Sequence, residues 1–337
     1  MKSSQITIKD IARALNISPS TVSRALKNHP DIREETKVAV SELAAKLKYQ
    51  PNALALSLKN SRSNTIGVII PEIVHYFFSS VISGIEDVAY DAGFTVIICQ
   101  SNEKYDREVA NANMLLSHRV DGVLVSISKE TTRFDHLIIL KEKGLPLVFF
   151  DRIVPAIETD QVIIDDEDAA YRATMHLIET GKKRIAHFAG PPNLLIGRDR
   201  KNGYIRALKE SGLVVDPRLI VEADSFEKAL IEANRLLELP NPPDGIFATN
   251  DLTAIGAMQS LHKKGVKIPQ QVAVIGFSDG RFSGITEPTL SSVDQHGYEM
   301  GTMATRILLE QLLNPSVNYT PQTKVLTANL VIRGSSV

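Results

Sequence analysis

The sequence predicts an α/β protein with a small all-helical head. Three observations predict it. The chain has 337 residues, long enough for two or three domains with cores of their own. Its first fifty residues space their apolar side chains three and four apart, the period of helices. From Thr65 onward, β-branched runs alternate with helix-like stretches of roughly a dozen residues, the order that builds right-handed βαβ units and parallel sheets.

In the head, Ile11, Ala12 and Leu15 predict a first helix over Asp10–Leu15, which "NIS" ends. Ser18 reads as the N-cap of a second helix, with Pro19 at its first position. Val22, Ala25 and Leu26 form its buried stripe. Asp31, with Glu34 three residues on, reads as a capping box for a third helix whose core face is Val40, Leu43, Ala44 and Leu47. The stretch "YQPNALALSLKNSRSN" starts with a proline, carries Leu54 and Leu58 one turn apart, and ends as a polar linker.

Two short helices joined by a tight turn present the outer side of the second one to a DNA groove. Packing of Val22, Ala25 and Leu26 leaves Pro19, Ser20, Thr21, Ser23, Arg24 and Lys27 facing outward. Short hydroxyl side chains allow deep entry and donate to phosphates. Arg24 can bond guanine O6 and N7 together, worth ~1–3 kcal/mol of discrimination. The plainer reading is that such serines and threonines merely cap a helix. Charge favours the DNA reading: residues 1–64 hold eleven Lys/Arg against five acids, +6, while the remainder is -7, and the two nearly cancel in the formal net of -1. A basic head on an acidic body predicts a polyanionic partner for the head alone. Asn52–Leu58 is too short to hold a helix unaided. Paired with a second copy through Leu54, it could push Leu58 between base pairs in the minor groove; the alternative is that it docks on the body.

In the body, "TIGVIIP", "FTVIICQ", "GVLVSIS", "LPLVFFD", "RIAHFAG", "GIFATND" and "VAVIGFSD" read as strands covered on both faces. They divide into two sets near Asp165, and "DGVLVSI" and "DGIFATN" hold similar places in each, which suggests two similar subdomains. Ligands bind such sheets beyond the carboxyl ends of the strands. That rule selects Phe77 and Phe78, then Asp151 and Arg152, then Arg198, Asp199 and Arg200, then Asn250 and Asp251, and last Ser278 and Asp279. Carboxylate, amide and guanidinium groups suit a ligand with several hydroxyls, and an aromatic ring can stack on a sugar or a base. Each has a plainer reading: Asp151 and Asp251 as helix caps, one phenylalanine as core, Arg200 as a surface ion pair.

Cys99 is the single cysteine, which excludes a disulfide framework and a cysteine zinc site, and the eight histidines lack metal spacing. No apolar stretch nears ~18 residues and no signal region opens the chain, so a cytoplasmic protein without membrane association is expected. The phosphate- and dinucleotide-binding glycine motifs and HExxH are absent. No nucleophile–base signature is found, so neither an enzyme nor a cofactor is expected.

The ordered set "T-I-x-D-I-A", "S-x-x-T-V-S-R-A-L", "Y-x-P-N-x-x-A-x-x-L", "TIGVIIP", "VDGVLVS", "GxRDRxxGY", "FATNDLTAIGA" and "VAVIGFSD" spans nearly the whole chain and resembles the lactose/galactose-repressor (LacI/GalR) family. The resemblance implies a helix-turn-helix head on a periplasmic-binding-protein-like core of two Rossmann-like subdomains. It implies a transcriptional regulator, expected to be a repressor, that binds a palindromic double-stranded DNA operator as a homodimer. A small-molecule effector, expected to be a carbohydrate, would bind between the lobes. The implied division is residues 1–50 for the head, 51–62 for the hinge and 63–337 for the core. Within the core, one subdomain takes 63–164 and 294–324, the other 165–293 and 325–337. The implied base readers are Pro19, Ser20 and Arg24, and the implied phosphate contacts Thr7, Thr21, Ser23 and Asn28. Ser18, Asn52, Ala55 and Leu58 complete the DNA set. Family members often carry Tyr-Gln or Thr-Thr where Pro19-Ser20 stands, so Pro19 offers apolar contact only. In the cleft the resemblance favours Phe78, Arg200 and Asn250, with Phe77, Asp151, Ser278 and Asp279 beside them. Ser278 stands where the aspartate of "GYD" is usual. Leu194, Leu195 and Ile196 stand where relatives often have polar groups, which implies a less polar pocket. The alternatives are a nucleoside or purine effector, a partner protein in the cleft, or a solute-binding protein. No leucine-heptad tail follows "LVIRGSSV", so a dimer is expected rather than a coiled-coil tetramer.

Overall fold

The computed structural model describes residues 6–49, 62–314 and 319–337. They fall into two compact units, one up to Ser63 and one from Asn64.

The first unit is a three-helix bundle: α1 (Ile8–Ala14), α2 (Pro19–Leu26) and α3 (Glu34–Lys46). Ile11, Ala12, Val22, Ala25, Val40 and Ala44 fill its centre, with Leu15, Leu26, Leu43 and Leu47 around them. α1 begins two residues earlier than its apolar spacing predicts. The cause is a capping box: Thr7 donates from its backbone N (2.9 Å) and its Oγ1 (2.7 Å) to the Asp10 carboxylate. The box expected at Asp31 and Glu34 does not form, because α3 starts after Arg33 with no side-chain cap. Hinge residues Leu54 and Leu58 lie outside the described residues.

The second unit holds two six-stranded sheets. The first is built from β1 (Thr65–Ile70), β2 (Thr95–Gln100), β3 (Gly122–Val125), β4 (Leu147–Phe150), β5 (Asp160–Ile164) and β11 (Thr323–Leu326), in the order β11-β5-β4-β3-β1-β2. The second uses β6 (Ile185–Ala189), β7 (Ile220–Glu222), β8 (Gly245–Ala248), β9 (Ala273–Phe277), β10 (Ser291–Asp294) and β12 (Asn329–Val331), in the order β12-β10-β9-β8-β6-β7. All pairings are parallel except β10 with β12. Both lobes therefore share one doubly wound order, with a switch point beside the first strand of each. Helices α4 (Tyr76–Asp91), α5 (Tyr105–Ser117) and α6 (Asp135–Glu142) cover the first sheet together with α11 (Gly297–Leu313). The second sheet has α7 (Asp166–Glu179), α8 (Leu195–Glu210), α9 (Phe226–Leu237) and α10 (Asp251–Lys263).

The chain crosses between lobes three times: before Asp166, between Asp294 and Gly297, and between Leu326 and Asn329. The last crossing falls after Leu326 rather than after Lys324, because Val325 and Leu326 still pair with Ile163 and Ile164 of β5. α4 and α11 touch backbone to backbone. A Cβ on Gly301 would lie 2.0 Å from the Val81 carbonyl oxygen, and one on Gly84 2.1 Å from that of Tyr298. Only glycine permits that approach. Among the described residues, no helix is long and apolar enough to cross a membrane, and no group of three His, Cys, Asp or Glu side chains could hold a metal ion.

Candidate functional site

In the head, Ser18 caps α2 by accepting from the Thr21 backbone N at 3.0 Å. Its hydroxyl also lies 2.7 Å from Ser20 Oγ and 2.8 Å from Thr21 Oγ1. Pro19, Ser20, Arg24 and Asn28 are exposed, off the stripe of Val22 and Ala25, while Thr21 and Ser23 are half-buried. Asn28 leaves the helix with φ 52°, a left-handed turn that asparagine tolerates. The Thr7 hydroxyl donates to the Asp10 carboxylate at 2.7 Å, at the start of α1. Asn52, Ala55 and Leu58 lie outside the described residues.

In the body, a cavity of about 380 Å³ opens between the carboxyl ends of the two sheets. Phe77, Phe78, Asp151, Arg200, Asn250 and Ser278 all line it, brought there from five strand ends. Both phenylalanines are also core: they are 6% and 3% exposed, with rings 5.2 Å apart.

Arg200 is buried, not a surface ion pair. Its Nε donates to Asp166 at 2.7 Å, Nη1 to the Thr249 carbonyl at 2.7 Å and Nη2 to Gln295 Oε1 at 3.2 Å. The guanidinium lies 3.7 Å from the Phe277 ring centroid. It thus joins α8 to the first crossing (Asp166) and the second (Gln295). Burial pushes the Asp166 carboxyl up to about 6, against the pull of Arg200. Gln295 in turn donates to Ser278 Oγ at 2.8 Å.

Asp151 is buried at φ 58°, a strained backbone setting for aspartate, and caps no helix. Among the described residues, its carboxylate has only Ser126 Oγ at 3.4 Å and Arg152 Nε at 3.8 Å. Burial raises its pKa, with Arg152 and Arg200 opposing. Arg152 is held by Glu103, its Nη1 2.8 and 3.0 Å from the two carboxylate oxygens. Asn250, not Asp251, is the N-cap of α10; it accepts from the Thr253 backbone N at 2.9 Å and donates to the Asp224 carbonyl at 3.0 Å. Asp251 sits one residue on, buried, accepting from Ser292 Oγ, the Gly280 backbone N and Ser283 Oγ at 2.5, 2.7 and 3.0 Å.

Asp279 does not line the cavity. Arg333 holds its carboxylate at 2.5 and 3.2 Å, which turns it away from the cleft. Sequence reasoning missed Asp166, Gln295, Glu103, Lys129 and Asp224. Asp166 and Gln295 follow the carboxyl ends of β5 and β10, strands that none of the seven apolar runs marks, and Lys129 meets Asp224 at 3.1 Å across 95 positions of sequence.

A three-helix DNA-binding head followed by a two-lobed body with a polar cleft defines a ligand-responsive DNA-binding regulator. Known proteins agree. Residues 7–52 match the family described as bacterial regulatory proteins, lacI family. Residues 63–331 match periplasmic binding proteins and sugar binding domain of LacI family. The chain is 33% identical to the HTH-type transcriptional repressor CytR of Escherichia coli (strain K12), over 98% of this chain and 96% of that one. It is 34% identical to catabolite control protein A of Priestia megaterium, over 93% and 94%. A solved complex of the transcriptional regulator CelR with cellobiose is similar at TM-score 0.74 and 28% identity, over 98% of this chain and 100% of that one. The lac repressor dimer bound to operator and the anti-inducer ONPF shares the fold at TM-score 0.87 and 22% identity, over 99% of each chain. The chain belongs to the LacI family of bacterial regulatory proteins. It is a DNA-binding transcriptional regulator under effector control, not an enzyme.

Proposed function

We propose that this regulator is a cytoplasmic repressor that binds a twofold-symmetric operator as a homodimer and is switched by an uncharged sugar or sugar derivative in the interlobe cleft. The observation that carries the effector class is the charge pairing in the cleft. Each basic side chain lining it already has a carboxylate: Lys129 has Asp224, Arg152 has Glu103 and Arg200 has Asp166. Asp151, buried and poorly partnered, is left needing a donor. A sugar hydroxyl supplies one; a phosphate or uronate would bring a second anion to it. The cellobiose held by CelR is of the class proposed. The DNA set is Ser18, Pro19, Ser20, Thr21, Ser23, Arg24 and Asn28, joined by Asn52, Ala55 and Leu58 of the hinge. The body exposes Phe282 and Ile285 on one turn, apolar surface that a second copy would cover.

A nucleoside or purine base is the second reading. Phe77, Phe78, Leu194 and Ile196 give the cleft apolar walls on which a flat ring could lie. Calorimetric titration of the full chain with neutral sugars, nucleosides, purine bases, uronates and sugar phosphates separates the two. Binding by a neutral sugar that also changes operator affinity is the expected result. Binding by uronates or sugar phosphates alone would overturn the charge argument.

A further inference from the structure

We propose that Leu194, with Asn193 and Lys129, forms a latch between the two lobes that stabilises their closed arrangement. Leu194 belongs to the second lobe: it immediately precedes α8, which packs on that sheet. Yet its side chain, 2% exposed, lies in a cluster otherwise drawn from the first lobe, among them Ile127, Ile153, Val154 and Ile157. Leu195 and Ile196 pack on the rim of the same cluster. The second lobe thus inserts one apolar side chain into the core of the first and lays the next two on its rim.

Local chemistry supports a role beyond filling space. Leu194 is the N-cap of α8 and makes no side-chain cap hydrogen bond. Leucine is among the poorest residues for that position, where serine, threonine, aspartate or asparagine would accept from the helix. The cap is forgone at a position whose side chain crosses to the other lobe. Two polar contacts through Lys129 also cross between the lobes. Asn193 Nδ2 donates to the Lys129 carbonyl oxygen at 2.5 Å, and Lys129 Nζ pairs with Asp224 at 3.1 Å. Lys129 is in the first lobe; Asn193 and Asp224 are in the second. The Lys129 loop is itself anchored from below, its backbone N donating to Glu103 Oε2 at 2.7 Å and that of Ser128 to Glu108 Oε2 at 2.6 Å.

Closure in this chain therefore carries its own apolar stabilisation. Leu194 acts as a positioning residue that sets how much of the effector's binding energy is needed to bring the lobes together. This inference stands whatever the effector is.

Interlobe distance in the ligand-free full chain tests it. Spin labels at Asp106→Cys and Ile231→Cys, both exposed and on different lobes, are introduced with Cys99→Ser, and the labelled chain is diluted into unlabelled chain. Dipolar spectroscopy should give one narrow, short distance. Leu194→Ser should populate a longer one, with the closed-to-open ratio falling by roughly tenfold or more, as deletion of a buried leucine implies. Leu194→Met should restore the short distance. Asn193→Ala with Lys129→Ala, which leaves the core intact, should shift the distribution in the same direction by less. A long distance already present in the unsubstituted chain would overturn the latch, and so would a distribution that neither Leu194→Ser nor the double variant alters. Operator binding measured on the same samples keeps the result separate from the repressor reading.

Discussion

Arg200 donates to Asp166 across 2.7 Å, and neither side chain is more than 7% exposed. The pair ties the second lobe to the chain segment that enters it. A ligand that bonded to the remaining guanidinium hydrogens would thus act directly on the crossing segments.

Arg200→Lys should keep a charge but lose the fork that holds Asp166, Thr249 and Gln295 together. Effector response in an operator-binding assay should disappear, while operator affinity without effector changes by less than about 1 kcal/mol. A normal response would reassign the cleft.

Two buried groups give stability opposite pH dependences. His187, stacked between Tyr204 and Phe247, has its pKa lowered to about 4 by burial. The unfolded chain binds that proton first, so stability is lost as pH falls from 6.5 towards 4, by about 3 kcal/mol in all. Asp166, raised to about 6, binds its proton first in the folded state and loses stability as pH rises from 3.8 to 6. Asp166→Asn should therefore steepen the loss of denaturant midpoint on acidification. An unchanged slope would mean that Asp166 titrates near its ordinary value.

Arg24→Ala should cost about 1–3 kcal/mol against the preferred operator and leave binding to random duplex nearly unchanged. Equal loss on every sequence would show Arg24 to be a phosphate contact.

Ser18→Ala should lower head stability by about 1 kcal/mol through loss of the α2 cap, with Ser18→Gly losing less. Thermal melts of the two variants make the comparison.

Gly301→Ala forces a Cβ against the Val81 carbonyl and should cost about 1–3 kcal/mol or more by separating α4 from α11. A wild-type melting temperature would mean that the helices part at no cost.

The legible parts share one property: their signal is local. All seven apolar runs became strands, because a buried central strand must be apolar along its length. The strands without such runs escaped notice. β10 reads "SSVD", and its buried serines are satisfied by distant partners: Ser291 Oγ donates to the Arg333 carbonyl at 2.9 Å, and Ser292 Oγ to Asp251 at 2.5 Å. β11, "TKVL", is an exposed edge. β2 is the exception to that reason: apolar from Val96 to Cys99, it lies at a sheet edge with Ile98 38% exposed.

Site prediction divided in the same way. The strand-end rule brought Phe77, Phe78, Asp151, Arg200, Asn250 and Ser278 to one cavity, since parallel strands deliver the loops at their carboxyl ends to a common edge. It could not tell Asp279 from Ser278. One residue decides which side chain faces the cleft and which meets Arg333, and Arg333 comes from the far end of the chain.

By itself the sequence determined the helix-turn-helix head, the two parallel-sheet lobes and the residues at the cleft edge, because helix period, strand apolarity and caps act over a few neighbours. Only the tertiary structure decided that Arg200 is tied to both crossings, that Asp279 is turned away, and that Leu194 sits in the opposite lobe. Those are pairings between residues tens to hundreds of positions apart, and they exist only once the backbone has brought the two lobes together.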